Sequence, residues 1–234
     1  MKKLLIIFLL LAALGACRYK SGSGNIVTEK RNTGAFTGVS VGGGFEVEIK
    51  HGDQEEVTVE ADDNLIKYIH TDVSDGQLKI KIEQINMHDA HLKVYITSPG
   101  LKNIKASAAA DVLVKDELKS GAAIHLEVSS GAIIKTAINA PEVELDASSG
   151  GEIEVSGRTR DLNAAASSGS NLKAKELLSE NVVVEASSGS NATVHASVKI
   201  DASASSGARV RYHGGAADVH KSASSGGVVE KEGA

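Results

Sequence analysis

The chain has 234 residues, enough for a sizeable core, and 41% of them are hydrophobic, yet only 3% are aromatic and none is tryptophan. Its 25 Lys+Arg against 30 Asp+Glu give a formal net charge of −5 with no clustered basic face, which excludes a nucleic-acid footprint. A single cysteine excludes an internal disulfide framework.

At the N-terminus, Lys2 and Lys3 precede an apolar run from Leu4 to Leu14. A membrane span needs about 20 apolar residues. The shorter run has the dimensions of an export-signal core and predicts a lipoprotein signal peptide over residues 1–16. Leu14-Gly15-Ala16-Cys17 resembles the lipobox of bacterial lipoproteins, in which the cysteine is lipidated and becomes the mature N-terminus. Removing residues 1–16 takes away two lysines and no acid, so 23 basic against 30 acidic residues leave −7. Arg18-Tyr19-Lys20-Ser21-Gly22-Ser23-Gly24 has linker composition, which predicts a flexible tether over residues 17–30 and a single domain over 31–234.

From Gly34 onward the pattern is β. Val39 and Val41, then Phe45, Val47 and Ile49, then Val57, Val59 and Ala61 alternate with polar residues. Leu78, Ile80 and Ile82, then Leu92, Val94 and Ile96, continue the series. Such alternation puts one face in a core and the other in water. Asp62-Asp63-Asn64 opening onto Leu65, Ile66 and Ile69 predicts a short helix that interrupts an early rung. Gly42-Gly43-Gly44 lies between two strands and reads as a tight bend.

The second half carries six copies of Ser-Ser-Gly, beginning at Ser129, Ser148, Ser167, Ser187, Ser205 and Ser224, in steps of 19, 19, 20, 18 and 19 residues. A fixed turn at a fixed period marks a stack of repeats. About 19 extended residues follow a path of roughly 63 Å, once around a small coil. The predicted fold class is therefore all-β, a parallel β-helix with one rung of about 19 residues per repeat. Its narrow rungs account for the scarcity of aromatic residues. Val143, Leu145, Ala147 and Ser149 share parity, as do their counterparts in later rungs. Side chains shrink toward each turn, as a narrowing internal corner requires. The same parity predicts that Ser130, Ser149, Ser168, Ser188, Ser206 and Ser225 point inward as a hydroxyl ladder, with Gly131, Gly150, Gly169, Gly189, Gly207 and Gly226 turning the chain. The outward column, headed by Ser129, forms a polar stripe suited to a partner.

Six equivalent serine pairs without a histidine at a fixed offset do not make a nucleophile and base. Asp146, Glu152, Asp201 and Asp218 are the candidates for an acid pair flanking a sugar, which would stand about 5 to 9.5 Å apart. They repeat at no common offset and lack aromatic platforms. His88-Asp89-Ala90-His91 would offer metal ligands if helical, but it lies between strands and reads as a polar loop, so no metal or other cofactor is expected. The terminal segment Val228-Val229-Glu230-Lys231-Glu232 predicts either a charge-blunted end or packing of two copies end to end.

Phe36-Thr37-Gly38-Val39-Ser40-Val41-Gly42-Gly43-Gly44-Phe45-Glu46-Val47-Glu48-Ile49 resembles the opening signature of the bacterial auto-transporter adhesin, head GIN domain family. Asp63-Asn64-Leu65-Ile66-Lys67-Tyr68-Ile69, followed by Gly76-Gln77-Leu78-Lys79-Ile80, resembles its next block, and the Ser-Gly rungs resemble its repeats. The likeness covers roughly residues 31 to 230. It implies a right-handed β-helix similar in fold to pectin lyase-like solenoids, on an exported lipoprotein anchored at Cys17, and it carries over no catalytic residue; Arg18 after Cys17, in place of the Asp that often retains lipoproteins at the inner membrane, points to the outer membrane. The expected function is a non-enzymatic surface-interaction module with a polysaccharide or protein ligand. A carbohydrate-active enzyme and a periplasmic scaffold are the alternatives.

Overall fold

The computed structural model describes residues 19–83 and 86–233. Cys17 and the expected signal peptide lie outside the described residues. The chain is all-β, with stacked parallel strands forming a solenoid of about six turns. Two long sheets run along it. The first stacks, from the N-terminal end, β6 (Ile69–Ser74), β7 (Gln77–Ile82), β3 (Gly38–Gly42), β10 (Asn103–Ser107) and β13 (Ile124–Val128). It continues through the second halves of β14 (Ile133–Ala147), β15 (Glu152–Ala166), β16 (Asn171–Ala186) and β17 (Asn191–Ala204), and ends at β19 (Asp218–Ala223).

The second sheet begins with β2 (Ile26–Arg31), β5 (Glu56–Asp62), β9 (Leu92–Ser98), β4 (Glu46–His51) and β11 (Asp111–Val114). It passes through the first halves of β14 to β17 and ends at β18 (Arg209–His213) and β20 (Val228–Lys231). The two-residue β12 (Leu118–Lys119) pairs with β14 on the third side.

The alternation explains why the core is continuous. Leu78, Val39, Ile104, Leu126, Leu145, Ala164, Val184 and Ala202 are successive register partners down one buried column. Beside it Val41, Ala106, Val128, Ala147, Ala166, Ala186 and Ala204 line the corner next to the turns. The expected shrinkage toward the turn is present there, with alanine in five of these seven positions. The helix expected near Leu65 is a single 3-10 turn over Ile66–Tyr68, with Ile66 and the preceding Leu65 buried.

Two expectations need correction. Residues 19–30 pack on the domain and do not form a linker. β1 (Tyr19–Ser21) pairs with β8 (Asn86–His88), and β2 runs antiparallel to β5. Linker composition misleads because the polar groups of this Gly/Ser segment are taken up by the Asp62–Asn64 corner. Gly24 N–H donates to Asp62 at 2.7 Å, Ser23 Oγ donates to Asp63 at 2.6 Å, and the Asn64 side-chain amide donates to the Ser21 carbonyl at 2.9 Å.

The second serines do not point inward. Ser130, Ser149, Ser168, Ser188, Ser206 and Ser225 have φ between 48° and 52°, the following glycines have φ between 71° and 77°, and the serines are exposed. Two successive positive φ values make a type I′ turn, closed here by hydrogen bonds such as Ala132 N–H to Ser129 O at 3.1 Å. Period-2 parity does not carry through such a turn. Inside the corner the column after each glycine is Ala132, Gly151, Ser170, Ser190, Ala208 and Gly227. The two buried hydroxyls there are satisfied, since Ser170 Oγ donates to Ala147 O and Ser190 Oγ donates to Ala166 O, each at 2.9 Å.

The two ends differ. At the N-terminal end, antiparallel β2 and the β6–β7 hairpin close the stack. At the other end, among the described residues, no strand pairs with the outer edges of β19 and β20. The core column that ends at Ala202 continues to Lys221, an inward position occupied by a charge. Its ammonium stands 4.7 Å from the ring centroid of buried Tyr212, the only aromatic residue after position 100. An inward lysine on an edge strand blocks further stacking.

Candidate interaction groove

The type I′ turns stack into a ridge. Gly131 N–H donates to Ser149 O, Gly150 to Ser168 O, Gly169 to Ser188 O, Gly189 to Ser206 O and Gly207 to Ser225 O, at 3.0 to 3.1 Å. The column also extends toward the N-terminus where the tripeptide is absent. Ala108 and Ala109 take φ of 51° and 63°, and Gly44 N–H donates to Ala108 O at 2.8 Å. Backbone ladders through every turn make this a rigid edge.

Beside the ridge, the outer face of the first sheet carries short side chains. Ala165 and Ser203 stand in the column that Asp146 and Glu185 occupy in alternate rungs. With Ser148, Ser167, Ser187 and Ser205 they line a shallow groove of about 540 Å³ that runs along the solenoid axis and reaches Glu127 at one end. Two of these turns are braced from inside the corner, where the backbone N–H of Ser167 donates to Ser170 Oγ at 3.0 Å and that of Ser187 donates to Ser190 Oγ at 3.2 Å.

Glu127 and Asp146 belong to a cluster around His125. The imidazole Nδ1 lies 3.0 Å from Glu144, and Nε2 lies 3.5 Å from Asp146 and 3.8 Å from Glu127. Lys105, 2.6 Å away, holds the Glu127 carboxyl below the usual carboxylate range, aided by His125. At the third-side margin of the same sheet, hydrogen bonds from Asn181 and then Arg160 lower Asp161. The second sheet is self-neutralised across its rungs, through Lys173–Glu152 at 2.7 Å, Lys135–Glu154 at 3.7 Å and Arg211–Glu230 at 3.2 Å. The groove side is therefore the more acidic face.

Asp201 and Asp218 stand on adjacent strands, two residues out of register and about 8 Å apart, but no third group brings the other candidate acids to them. Asp146 and Asp201 lie on the groove face three strand spacings apart, about 14 Å. Glu152 is on the other sheet, paired with Lys173, and Asp218 is engaged by Lys199 at 3.7 Å and His220 at 3.0 Å. His88 and His91 are also separated in role. His88 lies in β8 with its ring 5.4 Å from Tyr19, while His91 Nε2 reaches Glu60 at 2.7 Å. Among the described residues no group of three or more His, Cys, Asp or Glu is placed to hold a metal. The His125 cluster went unnoticed in the sequence, although the repeat carries it: His125 to Glu144 and Glu127 to Asp146 are both steps of 19 residues.

The family model described as "Putative auto-transporter adhesin, head GIN domain" matches residues 35–216. Nothing among curated proteins matches the chain. Solved structures share the fold, among them the following three. A "putative adhesin" from Bacteroides fragilis NCTC 9343 superposes with a TM-score of 0.85 at 17% identity, covering 91% of this chain and 100% of that one. A "putative lipid binding protein" from Parabacteroides distasonis ATCC 8503 gives 0.73 at 20% identity, and a "putative adhesin" from Parabacteroides merdae ATCC 43184 gives 0.73 at 19%. Each of these two covers 92% of this chain and 100% of its own.

Proposed function

The chain belongs to the auto-transporter adhesin, head GIN domain family, and from that premise we propose that it is a non-enzymatic, exported lipoprotein that binds an extended surface ligand along the faces of its solenoid. The observation that carries this reading is the groove. It is long, open and rigid-walled, with hydroxyls repeating at the strand spacing of about 4.8 Å. A site with that repeat suits a polymer, a polysaccharide chain or an extended protein segment, that makes many similar weak contacts. It does not suit a small substrate that needs a converging acid pair. Cys17 supplies the lipid anchor to the outer membrane, and two or three acyl chains suffice for stable attachment without a spanning segment. The blunted C-terminal end fits a protein that presents single solenoids and does not assemble through its ends.

The test is adherence of beads carrying the domain to panels of immobilised bacterial and host polysaccharides and proteins. Ala165 is exposed in the groove, so Ala165→Arg obstructs it, whereas Thr193→Arg alters the second sheet. Binding that is lost in the first variant and retained in the second supports the proposal. Binding indifferent to Ala165→Arg refutes it, as does cleavage of a bound polysaccharide.

A further inference from the structure

The described fold starts at Tyr19, so in the chain a single residue, Arg18, separates Cys17 from β1. Two residues of extended chain reach about 7 Å. A lipid on Cys17 therefore cannot hold the domain at a distance: the region around β1 has to lie at the headgroups. That region is the N-terminal end of the solenoid. Lys20 stands over the Tyr68 ring at 4.8 Å and Lys67 over the same ring at 5.3 Å, within and beside the 3-10 turn that joins β5 to the outermost strand β6. Both Tyr19, 61% exposed, and Ile26, 42% exposed, are large apolar residues left uncovered at this end. Tyrosine with lysine is the composition that settles at a membrane–water interface.

We propose that the β1 end of the solenoid is a membrane-docking surface, seated on the phospholipid headgroup layer with Tyr19, Ile26 and the Lys20–Tyr68–Lys67 group in contact with lipid. This rests on the lipid-anchor reading above. The stack from β6 to β19 has nine strand spacings, so the far end, with β19 and Lys221, stands about 43 Å away. The anchor and this surface together hold the solenoid upright and leave the groove face clear of the bilayer along its length.

The experiment uses the full chain, exported and purified from membranes, in vesicles of phosphatidylethanolamine and phosphatidylglycerol that include a headgroup-quencher lipid. Cys17 is the only native cysteine, and lipidation consumes its thiol, so an introduced cysteine is the one labelling site. Lys67→Cys and Ser222→Cys are both at exposed positions. Flotation with the vesicles is read first. Protein that stays at the bottom of the gradient overturns the anchor reading and this proposal with it. For protein that floats, the expected result is loss of fluorescence from a label at residue 67 with none at residue 222. Equal quenching at both positions, or none at either, overturns the docked orientation while leaving the anchor intact.

Discussion

Replacing Gly169 by alanine tests the turn ridge at one atom. Gly169 has φ of 72°, and a Cβ built there meets nothing within 4 Å. The penalty is therefore conformational alone, about 1–2 kcal/mol for an L-residue held in the left-handed region. Alanine also restricts the unfolded chain, which returns about 0.4–1 kcal/mol. The net expectation is a loss of about 1 kcal/mol. The protein carries its own precedent, since Ala108 and Ala109 occupy the equivalent turn at φ of 51° and 63°. Gly157 is the contrasting site. Its φ is 112°, and a Cβ would overlap the Ile138 carbonyl of the preceding rung. Gly157→Ala adds a backbone clash to the strain and should cost about 3 kcal/mol or more. Urea denaturation of both variants, followed by circular dichroism, measures the difference. Equal losses would refute the reasoning, as would a stabilising Gly169→Ala, because either result means that the left-handed turn and the close rung contact are not as described.

The reverse change, Ala109→Gly, should stabilise by about 1 kcal/mol in the same assay. Leu145→Ala deletes a fully buried member of the core column and should cost about 2–5 kcal/mol, read as a lower urea midpoint. Lys221→Ile removes the inward charge at the far end and should raise concentration-dependent end-to-end association above that of the native chain, detected by light scattering; a variant that associates no more than the native chain would mean that other features blunt that edge. Glu48, Glu127 and Asp161 are held below their ordinary range, Glu48 chiefly by its hydrogen bond from Lys93. Depressed carboxylates contribute stability that is present above the unfolded-state value and lost as pH falls through the folded one. Thermal stability should therefore decline as pH drops below the normal carboxylate range, and Glu127→Gln should flatten that decline.

The strands and their inward faces were legible because alternation is a direct record of burial: Val47, Ile49, Val57 and Val59 are each about 1% exposed or less. The rung period was legible because one turn sequence recurs. The turn's internal geometry was not. Ser149 shares the parity of Leu145 only if the chain stays extended, and two positive φ values break that count. The unmarked turn at Ala108-Ala109 was missed for a related reason, since the stacked ladder holds alanine where a free turn would call for glycine. Residues 19–30 read as a linker because composition reports the segment alone, whereas its partners, Asp62 to Asn64, lie some 40 positions away. The groove was half visible, its serine column in the period and its acidic margin only once residues 19 apart were set side by side.

Surface labelling of intact cells tests the account's central claim most directly. Ser222→Cys places one reactive thiol on the outermost strand β19, in a chain whose other cysteine is lipidated in this account. A membrane-impermeant maleimide should label it as fully in intact cells as after lysis, with a periplasmic control protein spared until lysis. Labelling that appears only after lysis would put the solenoid in the periplasm and contradict a surface-interaction module.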